Sequence, residues 1–176
     1  MKTIPTFLLA ACFIGSQAKA QQEANPMLAN AQTFIDVPYV AHTLETDGEE
    51  DLVINCDEVD CTTFVEYVLA LSLPSASGNK MSESDFAANL QRIRYREGKI
   101  DGYTSRLHYT SDWINNGVRG GFMEDVTAAN SPYTQKLSLS YMSSHPELYK
   151  HLSNSPENVT KMAAILGIEA GTSEKM

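Results

Sequence analysis

A chain of 176 residues, 43% hydrophobic and 20% charged, is long enough for one domain with a real core and too short for two of ordinary size. Its 13 basic and 22 acidic residues give a net charge of −9, which repels nucleic acid and anionic lipid and argues against both as partners. Three cysteines are too few for a disulfide framework, and they lack the spacing and neighbouring histidines of a zinc site, so no metal is expected.

Residues 1–20 read as a signal peptide. Lys2 supplies the positive start, Ile4 to Ile14 the short apolar stretch and Ala18-Lys19-Ala20 the cleavage site. The apolar run is shorter than the roughly 20 residues a membrane-spanning helix needs. No integral membrane segment is expected elsewhere, and the protein is read as exported, to the periplasm or beyond. A competing reading takes Leu9-Ala10-Ala11-Cys12 as a lipobox, with Cys12 lipidated. Cleavage after Ala20 removes two lysines and no acid, which takes the net charge from −9 to −11.

Residues 21–33 read as a flexible lead-in, and Ala31 to Val40 suggests a short helix that stops before Pro38. An acidic loop follows from Glu45 to Asp51, then a strand at Leu52-Val53-Ile54. Asp60 caps a helix from Cys61 to Leu71, with Cys61, Phe64, Val65, Val68 and Leu69 at helical spacing. Ser82-x-x-Asp85 resembles a capping box that opens a second helix, with Phe86, Leu90 and Ile93 as its stripe and Gly98 as its stop. Leu107 to Asn116 runs from loop into a helix ending at Gly117. Phe122 to Thr127 and Leu137 to Met142 read as strands, Pro146 to Leu152 and Pro156 to Leu166 as helices, and 170–176 as a polar tail. Helices first and strands later, without alternation, predict an α+β fold.

Cys61 falls at the first helical position, where the field of the helix favours the thiolate that acts as a nucleophile. The competing reading buries it on the apolar stripe as a small core residue. Cys56, five positions earlier, could close a disulfide with it in an oxidising compartment. The second dense patch is Ser105 to Trp113. There His108 and Asp112 could pair as base and orienting carboxylate, or Trp113 could anchor a core while His108 satisfies a loop carbonyl. His42, His145 and His151 carry no comparable signal.

Several blocks occur in a fixed order. They are Val37-Pro38-Tyr39-Val40-Ala41-x-Thr43-Leu44-Glu45, Val59-Asp60-Cys61-Thr62-Thr63-Phe64-Val65-Glu66, and Arg94-Tyr95-Arg96. Gly102-Tyr103-x-Ser105-Arg106-Leu107-His108-Tyr109-x-x-Asp112-Trp113 and Tyr141-Met142-Ser143-x-His145-Pro146 follow. Together they resemble the N-acetylmuramoyl-L-alanine amidase-like family, first catalogued as domain of unknown function 1460. That family looks related to NlpC-type papain-like cysteine hydrolases. The resemblance covers residues 34–169, read as the amidase-like domain.

The resemblance implies hydrolysis of an amide bond in peptidoglycan peptides by a monomer with no cofactor. Cys61 would be the nucleophile, His108 a substitute base, and Tyr39, Arg106, Tyr109, Asp112 and Trp113 the substrate groove. It also implies an NlpC-type fold whose antiparallel sheet is incomplete here. Family members continue into an Asp-x-x-His strand that carries the catalytic base, and nothing after Glu169 matches it. Cys56 stands where the family usually has an apolar residue. The expectation is a cysteine hydrolase that is incomplete and catalytically poor as given. The alternative is a non-catalytic envelope protein or a wall-peptide-binding fragment.

Overall fold

Asp60 sets the start of the 12-residue helix that opens at Cys61. Its Oδ1 accepts hydrogen bonds from Thr62 N at 3.0 Å and Thr63 N at 2.8 Å, and Thr63 Oγ1 accepts from Asp60 N at 2.8 Å. This reciprocal cap satisfies the first free donors of the helix and is worth about 1 kcal/mol. The computed structural model describes residues 25–75, 78, 80–133, 137 and 139–169. The expected signal peptide, Cys12 and the polar tail lie outside the described residues. The chain divides into two units, up to Ile93 and from Arg94 onward.

In the first unit α1 is Pro26–Gln32, α2 is Cys61–Ser72 and α3 is Glu83–Arg94, whose last residue opens the second unit. Asn25 caps α1 through Met27 N at 3.0 Å, so helix begins inside the stretch expected to be flexible. Asn30 Nδ2 donates to Ser72 Oγ at 3.0 Å, which ties α1 to the end of α2. Phe34 lies edge-on to Phe64 at 5.9 Å and stacked on Tyr67 at 6.0 Å, and Tyr67 meets Phe86 at 6.0 Å. Val59, Val68, Ala70, Leu90 and Ile93 are buried with them. The expected Ser82–Asp85 cap forms, with Asp85 N donating to Ser82 Oγ at 3.1 Å and Ser82 N to Asp85 Oδ2 at 3.2 Å.

In the second unit α4 is Thr110–Arg119, α5 Thr127–Asn130, α6 Tyr141–Ser144, α7 Lys150–Ser153 and α8 Pro156–Glu169. Short 3₁₀ turns occupy Arg96–Gly98, Tyr103–Ser105 and Pro146–Leu148. Tyr103, Met142, Leu152, Met162 and Leu166 form the core, with Tyr109, Leu139, Tyr149 and Val159 packed against it. Helix α4 passes through Gly117 instead of stopping there. A Cβ on Gly117 would sit 2.5 Å from Met123 Sδ, so this glycine permits a close approach rather than ending the helix.

The α+β expectation, with its incomplete antiparallel sheet, is wrong for the described residues. They contain no strand, only isolated bridges at Tyr39↔Val59 and Tyr95↔Arg106. None of the expected strands has a ladder partner among the described residues. Leu52 to Ile54 takes no regular structure and makes no bridge. Phe122 N and Met123 N turn back to Gly117 O at 3.2 and 3.3 Å, and Asp125 Oδ1 accepts from Thr127 N at 2.8 Å to start α5. Ser140 O accepts the Ser143 and Ser144 hydroxyls at 3.0 and 2.8 Å, which draws the end of the last expected strand into α6. Leu137 to Met142 is described only in part, since residue 138 is outside the described set.

Candidate active site

The buried face of α2 is Thr63, Glu66, Tyr67, Val68 and Ala70, rather than the full apolar stripe read from the sequence. Cys61 is exposed, and Val65 is 42% exposed. Tyr67 decides this rotation. Its ring lies between Phe34 and Phe86, and its hydroxyl accepts from Asn55 N at 3.0 Å. Cys61 is therefore presented to solvent at the first position of a helix whose opposite side is fixed in a core. Cys56 is buried, and the two cysteines are not joined, so the disulfide weighed as one possibility is not formed.

A second segment reaches the same place. Val59 N donates to Pro38 O and Val40 N to Val59 O, each at 3.0 Å, which lays Pro38–Val40 beside the approach to α2. This puts the exposed Tyr39 phenol against Cys61. The charge of a Cys61 thiolate pushes the Tyr39 pKa above its ordinary value, and local desolvation, the neighbouring Cys61 side chain and the Asp60 carboxylate add to it; the Cys61 backbone N–H opposes it. Tyr39 thus stays protonated at neutral pH and can donate. The Cys61 sulfur also lies 4.0 Å from Thr62 Oγ1. Within this unit no histidine hydrogen-bonds Cys61 among the described residues.

The remaining expected site residues all fall in the second unit. Tyr103 is their hub. The Arg106 guanidinium lies 5.1 Å from its ring centre, His108 stacks at 4.4 Å on a tilted ring, and His151 stacks at 4.9 Å. His108 Nε2 lies 3.1 Å from the Tyr103 carbonyl oxygen, an arrangement that requires Nε2–H in the neutral ring. Asp112, expected to orient His108, instead holds Arg96 through two bonds, Nη1 to Oδ1 at 3.0 Å and Nη2 to Oδ2 at 2.6 Å. Helix α4 begins at Thr110, so His108 precedes it and cannot meet Asp112 as a helical neighbour. Tyr109 Oη accepts from Met142 N at 2.8 Å. Trp113 is half-buried, and its enclosed Nε1–H meets no acceptor among the described residues.

Desolvation, helped by the Arg106 charge, lowers the His108 pKa from 6.5 to about 3. Between those values the unfolded chain binds a proton that the folded chain refuses. Stability of the second unit therefore falls as pH drops from 6.5 toward 3, by at most about 1.4 kcal/mol per pH unit. His108→Gln should flatten that slope relative to the parent. Urea unfolding followed by Trp113 fluorescence at pH 6.5, 5.5 and 4.5 measures it, and equal slopes for the two proteins would remove His108 from the account.

Among the described residues no cluster of three or more histidine, cysteine or acidic side chains could hold a metal, and no helix is long and apolar enough to cross a membrane. Sequence reading missed Arg96 as the partner of Asp112 and Tyr103 as the hub of the histidines. Sixteen residues separate Arg96 from Asp112, and no local pattern links them.

A profile of AmiA-like proteins, described as N-acetylmuramoyl-L-alanine amidase-like, matches residues 29–167. Comparison with curated proteins finds no match. Among solved structures, an N-acetylmuramoyl-L-alanine amidase from Bacteroides uniformis is 66% identical with a TM-score of 0.80, over 86% of this chain and 64% of that one. Another amidase structure from the same organism is 68% identical with a TM-score of 0.78, over 84% of this chain and 61% of that one. A Bacteroides fragilis protein provisionally described as a xylanase is 66% identical with a TM-score of 0.78, over 84% and 64% respectively. The chain spans less than two thirds of the length of these relatives.

Proposed function

From the premise that the chain belongs to the N-acetylmuramoyl-L-alanine amidase-like family, we propose that it cleaves an amide bond in peptidoglycan peptides, with Cys61 as the nucleophile in an NlpC-type cysteine mechanism. One observation carries this reading: a free, exposed thiol at the first position of a capped helix, with a phenol in contact. The thiolate attacks the carbonyl carbon, and the oxygen takes on negative charge. The Cys61 backbone N–H and the Tyr39 hydroxyl are the donors available to that oxygen, and the positive end of α2 reinforces them. The amine leaves with a proton, a thioester remains on Cys61, and water releases the acid.

The thiol proton needs a base that later returns it to the leaving amine. His108 is a poor choice, because its Nε2 is committed to the Tyr103 carbonyl and its surroundings disfavour the imidazolium. We assign it to holding its own unit together. The base belongs instead, by the family resemblance, to the Asp-x-x-His segment of the longer members. A substrate in the cell wall places the protein outside the cytoplasm, consistent with the export signal read at residues 1–20.

Alkylation tests the thiol directly. With limiting iodoacetamide at pH 7, Cys61 should be labelled at least ten times faster than Cys56, as read by peptide mass mapping. Equal rates, or faster labelling of the buried Cys56, would contradict the assignment.

A further inference from the structure

The peptide unit between Val59 and Asp60 is held from both sides. Its carbonyl, Val59 O, accepts from Val40 N at 3.0 Å, and its N–H, that of Asp60, donates to Thr63 Oγ1 at 2.8 Å. A trans peptide is planar and points these two groups in opposite directions, so the two bonds together fix the rotation of one plane.

One bond leads to the thiol and the other to the phenol. Thr63 stands two residues past Cys61 in the first turn of α2, and Val40 directly follows Tyr39. On the other side of Tyr39, Pro38 O accepts from Val59 N at 3.0 Å. The Tyr39 residue is 69% exposed, so packing does little to place its ring and the backbone bonds on either side must do so. Thr63 is the buried end of this connection, fully enclosed, and water does not compete for its hydroxyl. The oxygen accepts from Asp60 N, and its proton goes to Asp60 Oδ1 at 3.0 Å, nearer than Asp60 O at 3.4 Å.

We propose that Thr63 is a positioning residue for the thiol site: its hydroxyl fixes the Val59–Asp60 peptide and so keeps the Tyr39 phenol on Cys61. The part that this contact plays in amide cleavage rests on the proposed function. Thr63 acts through Asp60 and Val59, not on the reacting atoms.

Fluorine NMR reads the contact without turnover. The full chain is labelled with 3-fluorotyrosine, the Tyr39 signal is assigned by its loss in Tyr39→Phe, and its position is followed against pH. The charge of Cys61 is the largest influence raising the Tyr39 pKa, and the Asp60 carboxylate acts in the same direction. Cys61→Ala should therefore lower the Tyr39 midpoint. In Thr63→Ser, which keeps the hydroxyl, Cys61→Ala should give the same drop. In Thr63→Val, which keeps the branched shape without the hydroxyl, the drop should shrink to less than half. A role in stability alone would leave the drop whole. No effect of Cys61→Ala on Tyr39, a full drop in Thr63→Val, or its loss in Thr63→Ser would each overturn the proposal. So would loss of helical circular dichroism in Thr63→Val, since a hydroxyl that the whole fold needs is not a positioning device. The acyl group on Cys61 is measured separately, so this contact can fail while the cysteine mechanism stands, and the reverse.

Discussion

Cys61→Ala is expected to lower the proposed muropeptide hydrolysis by about 10⁴ or more, because removing the proposed nucleophile, which would act as a unit with its base, leaves only binding and oxyanion donors. The thiol is exposed, so its loss opens no cavity and the fold is unaffected. Tyr39→Phe keeps the ring and removes the hydroxyl. It should cost about 10²–10³ in kcat with little change in KM, as losing one oxyanion donor does. Release of stem peptides, followed by chromatography, reads both. Turnover that survives Cys61→Ala would move the chemistry to another residue.

Asp112→Ala carries the largest expected loss of stability. Asp112 is 2% exposed and its carboxylate grips Arg96 by both oxygens, so truncation removes two charge-assisted bonds from a guanidinium that is itself largely enclosed. Breaking one side of a buried pair costs about 3–5 kcal/mol. Replacing both partners by apolar residues of similar volume, as in Arg96→Met with Asp112→Leu, removes both charges of the pair together and should recover most of that loss. Urea unfolding followed by circular dichroism measures both. A loss below about 1 kcal/mol for Asp112→Ala would mean the pair is solvated and structurally minor.

The helix starts were the most legible part of the sequence. Asp60 and Ser82 announce their helices because a cap is a local bond between residues two or three apart. The face of α2 was less legible. Thr63 and Glu66 are buried while Val65 is exposed, because Tyr67 is held by Phe34, Phe86 and the Asn55 amide, contacts that lie outside the helix. Strands failed for a related reason. An apolar triplet such as Leu52-Val53-Ile54 is a strand only if another segment offers a ladder, which the triplet itself does not specify.

The candidate site divides the same way. Cys61 is marked by its own cap, and Tyr39 by its place in the recurring Val37–Glu45 block. His108 and Asp112 suggested each other by spacing, yet each found a different partner, the Tyr103 carbonyl and Arg96. Spacing of four residues pairs side chains only on a helix that has already begun.

The central claim is that Cys61 carries the acyl group, and intact-protein mass spectrometry during turnover tests it most directly. Rapid acid quench of protein mixed with a muropeptide should give a species heavier by the acyl fragment, mapped to Cys61 as a thioester that hydroxylamine removes. It should be absent from the Cys61→Ala form. Release of stem peptide with no covalent species at Cys61, or with the adduct on a different residue, would contradict the account.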